Sequence, residues 1–270
     1  MTWVPVSDLT TLILAVALGA ARATPVVWLV APLGGARLPA TVRTGFALLL
    51  AVLAAPILAA SWAASPEAAA LGDVSAMRLA LLFAREVFVG LCLGFVASAA
   101  FRAAEVAGRL ADTLRGANIA EVLVPTADER SSPLGALYVL LATVVFLQIG
   151  GVARLIDALL RSYQALPIGG GLTAGSTRAA VWVVAVASVK LIASGVGLAA
   201  PVIVALWLTD LALGLIARAA PQVQVYFLGL PLKGLLAIGV VLLGLGALET
   251  ALTRDFAGWL QLFERTTSAF

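Results

Sequence analysis

Apolar residues run along this chain in long blocks rather than in the short periods of a soluble fold. Residues 44–66 and 131–153 carry no charge at all and are 23 residues each. A helix of that length is roughly 34 Å long, enough for a hydrocarbon core of about 30 Å. Residues 191–209, 19 in number, are a third such stretch. The other blocks are interrupted by isolated charges. Residues 9–33 contain Arg22, 79–101 the pair Arg85-Glu86, 179–208 Lys190 and Pro201, and 225–248 Lys233. The pattern predicts six apolar helical regions. Polar connections at 34–43, 65–78, 102–132, 154–178 and 209–224 separate them, and a tail follows from Glu249.

Composition turns this pattern into a class. Hydrophobic residues make up 62% of the 270, charged residues 11%, and mean hydropathy is +1.09. Soluble globular chains have about 25% charged residues. A soluble fold of this size cannot hide so much apolar surface, so the chain reads as an all-α integral membrane protein. There is no histidine, and Cys92 is the single cysteine. The usual ligands for zinc, haem or an iron–sulfur cluster are therefore missing, as is any Ser-His-Asp or Cys-His nucleophile, and no cofactor is expected. The net charge of +3 is spread along the chain, too dispersed for a nucleic-acid footprint.

Lys and Arg in the connections divide seven against six between the two sides, so they do not set an orientation. Met1 to Asp8 has no Lys or Arg before the apolar run from Leu9, whereas a cleavable signal peptide wants a basic start; the segment reads as retained. Gly169 to Ser176 lacks the Gly-Lys-Ser/Thr ending of a phosphate-binding loop and reads as a linker.

Charges inside apolar runs are costly, about 2.5–3.5 kcal/mol on insertion scales, so each needs a partner, water or an interface. Arg85 and Glu86 leave a helix about 100° apart and are not expected to pair with each other; their partners should come from another helix or another chain. Snorkelling near a helix end is the competing reading for Arg22 and Lys233. Arg102, Glu105, Arg109, Asp112 and Arg115 form one alternating-sign stripe on a helix, suited to a water-filled passage or equally to a solvated surface helix. Gly116 weakens the helix there. In the stretch Pro221 to Lys233, prolines at 221 and 231 and the alternation of Gln222 and Gln224 with valines predict extended backbone. Such backbone must be buried in protein or face water. Gly90, Gly94 and Ser98 form a small-residue ridge for close helix approach.

Several of these runs together resemble one family. Arg85-Glu86, Gly90 and Gly94, then Ala107-Gly108-Arg109-Leu110-Ala111-Asp112 and Arg115-Gly116-Ala117, are similar to the T component of the type III secretion export apparatus, whose flagellar counterpart is FliR. The likeness continues through Ser132-Pro133-Leu134-Gly135, Gly150-Gly151, Ser162-Tyr163, Pro167 and the segment Phe227-Leu228-Gly229-Leu230-Pro231-Leu232-Lys233. Asp112, Arg115-Gly116-Ala117 and Gly150-Gly151 look like the injectisome branch rather than the flagellar one.

The resemblance implies a single 1–270 domain of helical hairpins in a spiral hetero-oligomeric gate in the bacterial inner membrane, reaching toward the periplasmic side. Its partners would be R-type (FliP-like) and S-type (FliQ-like) subunits, the U-type (FlhB-like) switch protein, and secreted proteins in transit. It would be no enzyme. The plug loop falls in connection 102–132, which gives gating to Leu110, Asp112, Arg115, Gly116, Asn118, Ile119 and Glu121. Subunit contact falls to Arg85, Glu86, Gly90, Gly94, Pro221, Gln222, Gln224, Phe227, Pro231 and Lys233. The alternatives are a flagellar FliR subunit and a secondary transporter of a small solute, with Glu86 and Lys233 as coupling groups.

Overall fold

A computed structural model describes residues 6–33, 38–63, 76–117, 132–169, 174–222 and 224–269. Among them there are nine helices and no strand: α1 (Val6–Leu29), α2 (Ala40–Leu53), α3 (Ala55–Ala63), α4 (Ala76–Leu114), α5 (Pro133–Gln148), α6 (Gly151–Ala165), α7 (Ala174–Ala219), α8 (Val225–Leu243) and α9 (Leu245–Ala269). Thr10–Leu29, Ala76–Leu114, Thr177–Ala219 and Val225–Leu243 are long and apolar enough to cross a membrane; with each of two bent pairs taken as one span, the number rises to six.

The two uncharged blocks that look like the cleanest spans are the bent ones. Residues 44–66 divide at Ala54 into α2 and α3, which meet at 62°, and 131–153 divide into α5 and α6, which meet at 74°. Each bend has a local cause. Pro56, in the first turn of α3, cannot donate the hydrogen bond that would continue α2. Gly150 takes φ 69°, a left-handed conformation that ends one helix and starts the next. Hydropathy registers neither break, because proline and glycine interrupt the backbone without interrupting the apolar composition.

Elsewhere helices run further than the polarity pattern implies. The 39-residue α4 absorbs the first half of connection 102–132, and the 46-residue α7 passes through Pro201 and most of 209–224. Both are about twice the length a span needs. The tail from Glu249 belongs to α9. The segment 221–233 is mostly helical, not extended: only Pro221 and Gln222 form a turn, Val223 lies outside the described residues, and α8 begins at Val225 with Pro231 inside it. Helix leaves only the one backbone bond that Pro231 cannot make, whereas extended chain in apolar surroundings leaves every backbone group wanting a partner.

The chain forms two compact units. The first comprises Met1–Ala99, Gly150–Ser188 and Ala257–Phe270, the second Ala100–Ile149 and Val189–Phe256. In the first, α1 packs against α2 and α3, α3 touches α6, and Leu18, Leu58, Trp62, Leu93 and Tyr163 are buried. In the second, Phe101, Phe146 and Phe256 form a ring cluster with centroids 5.1–5.2 Å apart.

Candidate functional site

The first unit contains a buried ionic network. Glu86 on α4 is 1% exposed and Arg22 on α1 is 0% exposed. The Arg22 Nε donates to Glu86 Oε2 at 2.7 Å, and Arg85 Nη1 donates to the other oxygen at 3.0 Å. Arg85 and Glu86 therefore do pair, against the sequence expectation. Their bonds from the helix do diverge, but the long arginine stem turns its guanidinium back onto the neighbouring carboxylate. The other partner comes, as expected, from another helix, and that helix belongs to the same chain.

Both guanidiniums also close the end of α6. Arg22 donates to the Ser162 carbonyl at 2.8 Å and the Leu166 carbonyl at 2.9 Å; Arg85 donates to the Pro167 carbonyl at 3.2 and 3.3 Å. Ser162 lies in the last turn of α6, where its carbonyl also accepts the Leu166 N–H, and the Leu166 and Pro167 carbonyls follow the end of a helix that Pro167 prevents from continuing. Positive charge is favourable there because the helix dipole places negative potential at its C-terminus. The Arg22 guanidinium lies 4.7 Å over the Tyr163 ring, whose hydroxyl donates to the Gly19 carbonyl at 2.8 Å.

Close backbone approach makes the network possible. Gly90 is one turn beyond Glu86, and a Cβ on it would run into the Arg22 carbonyl; one on Gly94 would lie 2.9 Å from the Pro25 carbonyl. Only small residues let α1 sit so near α4. Arg85, Glu86, Gly90 and Gly94, assigned to subunit contact by resemblance, are thus all engaged within the chain.

A second constellation lies in the second unit, where α4 ends and α5 begins. The stripe is helical as far as Leu114, and its outer members pair along the surface: Arg102 with Glu105 at 3.1 Å and Glu105 with Arg109 at 2.6 Å. Asp112 behaves differently. It is 2% exposed and accepts three bonds: from Arg115 Nε at 2.7 Å, Ser132 Oγ at 2.6 Å and the Leu134 backbone N–H at 3.0 Å. Ser132 caps α5 by accepting from the Gly135 N–H, and Pro133 opens that helix, so the Asp112 charge faces the positive end of the α5 dipole. The glycine device recurs one turn away, since a Cβ on Gly108 would collide with the Leu134 carbonyl and the Gly135 nitrogen.

Leu110 is half-buried and Gly116 turns the chain with φ 84°. Asn118, Ile119 and Glu121 lie outside the described residues. Lys233 on α8 pairs with Asp210 on α7 rather than snorkelling alone. Pro221, Gln222, Gln224, Phe227 and Pro231 are exposed, Phe227 at 67%.

Sequence reasoning missed Asp210, the Leu166 and Pro167 carbonyls, and the bond from Ser132 to Asp112. The Ser132-Pro133 pair was a readable cap-and-first-turn signal for the start of α5; the carbonyls have no sequence signature.

Apolar helices throughout, buried charges paired across them and close glycine-mediated helix contacts define an all-α membrane protein with several spans. The family model described as bacterial export proteins, family 1, matches residues 13–258, and the chain belongs to that family. Over 165 residues it is 36% identical to Yop proteins translocation protein T of Yersinia pestis, 61% of this chain and 63% of that protein. The chain thus spans a little under two thirds of the Yersinia relative. Over 213 residues it is 30% identical to flagellar biosynthetic protein FliR of Bacillus subtilis, 78% of each. It is also similar to the surface presentation of antigens protein SpaR of Salmonella typhimurium, with 29% identity over 232 residues, 86% of this chain and 83% of that protein.

Proposed function

We propose that the chain is the T-type subunit of a type III protein export gate in the bacterial inner membrane. In this reading it is a non-enzymatic wall and gate element for unfolded proteins, assembled with R-type, S-type and U-type subunits and reaching toward the periplasmic side. The observation that carries the reading is the family match along residues 13–258, which includes both buried carboxylate constellations.

Energetics support it. Glu86 and Lys233, the groups a solute transporter would use for coupling, are each held by ion pairs within the chain. Meanwhile α7 and α8 leave large apolar side chains exposed, among them Trp182 at 70%, Leu211 at 67% and Leu235 at 73%. Lipid or neighbouring subunits must cover these. Exposed Pro221, Gln222, Gln224, Phe227 and Pro231, with Lys233 behind them, remain the contact residues in this reading. The segment from Leu110 through Asp112, Arg115 and Gly116 to Asn118, Ile119 and Glu121 belongs to the gate. We favour the injectisome over the flagellum on Asp112, Arg115-Gly116-Ala117 and Gly150-Gly151.

Mass spectrometry of the intact detergent-extracted assembly tests the proposal. The expected result is a hetero-oligomer in which this chain is bound to small membrane partners. A monomer or homo-oligomer that carries a small solute across vesicles would overturn it.

A further inference from the structure

We infer that Asp112 acts in the gate as a positioning residue and not as a lining one: its carboxylate staples the end of α4 to the start of α5. The inference rests on the gate reading above. A group that met passing substrate or ions would need to be accessible, and the Asp112 side chain is 4% exposed. It is also saturated from both sides of the α4–α5 connection. Arg115, just past the end of α4, holds Oδ1; Ser132 and Leu134, at the start of α5, both hold Oδ2. The Asp112 main-chain carbonyl accepts the Ala117 N–H at 3.0 Å as well, so the departing turn is tied to the same residue.

The staple has a defined seat. The Gly108 backbone rests against Leu134 and Gly135, which fixes the depth at which the carboxylate meets α5. Beyond it, Arg115 is mostly buried, and its Nη1 would lie 3.9 Å from a Cβ on Gly234 of α8. The charge partner of Asp112 therefore lies beside a third helix. One carboxylate joins α4 to α5, and its partner Arg115 sits next to α8.

The test uses the assembled export complex, with spin labels at T113C and A136C, two exposed positions on either side of the staple. Cys92 is buried and stays in place. The label distance should be narrow in the parent, broadened by Asp112→Asn, and broadened less by Ser132→Ala. The second variant removes the Ser132 bond to Asp112 together with the cap on the Gly135 N–H, and leaves the Arg115–Asp112 pair intact, so it serves if Asp112→Asn fails to assemble. Ion leak through the reconstituted complex should rise about tenfold or more with Asp112→Asn, the lower end of what losing a hydrogen bond to a charged group implies. A distance distribution unchanged in both variants overturns the staple, whatever the leak does. A broadened distance without added leak supports the staple and overturns the gate reading on which it rests.

Discussion

Replacing Glu86 by Gln removes one negative charge from a site that holds two positive ones. Glu86 is the only carboxylate among the described partners of Arg22 and Arg85, and all three side chains are 7% exposed or less. Gln keeps the shape, but its amide offers one accepting oxygen and one donating nitrogen, and a donor set against a guanidinium repels it. At least one arginine is left buried without a counter-charge. Breaking a buried ion pair by removing one partner costs about 3–5 kcal/mol. In a chain of this size each kcal/mol lowers Tm by about 2–4 °C, so thermal unfolding of the purified complex should begin roughly 6–20 °C earlier.

The network's net charge supplies an internal control. Arg85→Gln leaves the neutral Arg22–Glu86 pair at 2.7 Å and forfeits the second, 3.0 Å pair to Glu86 and the longer bonds to the Pro167 carbonyl. It should cost less than Glu86→Gln, and in the double variant it should restore part of the loss. Should Glu86→Gln match the parent in stability, or Arg85→Gln prove the more damaging, the reading of Glu86 as the hub of this network is wrong.

Two further outcomes follow from the packing. Gly90→Leu drives a side chain into the Arg22 carbonyl, a rigid backbone atom; overpacking costs typically 1–3 kcal/mol, and expression of folded protein in membranes should fall accordingly. Glu105→Gln removes two surface pairs whose arginines are 56% and 61% exposed, and thermal unfolding should register a change within about 0.5 kcal/mol. A large loss with Glu105→Gln would mean that the outer stripe is covered by a partner.

The class was legible in the chain because it follows from amounts. So much apolar residue with so little charge admits only lipid or protein as surroundings, and helix is the way its backbone can satisfy itself there. The charges from Arg102 to Asp112 lie along one helix, as their spacing implies, but the helix ends at Leu114, before Arg115, and Asp112 is buried where Arg102 and Arg109 are exposed. Bends at Ala54 and Gly150 were less legible, since hydropathy averages over the single residues that cause them. Pro231 misled in the opposite direction, as one lost bond is outweighed by the helix around it.

The roles of the buried charges were decided by tertiary structure. Sequence marked Glu86 as needing partners and Gly90 as small, and placed Asp112 in a stripe of alternating charge and Gly108 in a family motif. It could not say that each glycine lies one turn from its carboxylate so that another backbone can enter and meet it. Arg22 is 64 residues from Glu86, and Ser132 is 20 from Asp112. No local rule spans such separations, because the pairing energy exists only once packing has excluded water from both partners.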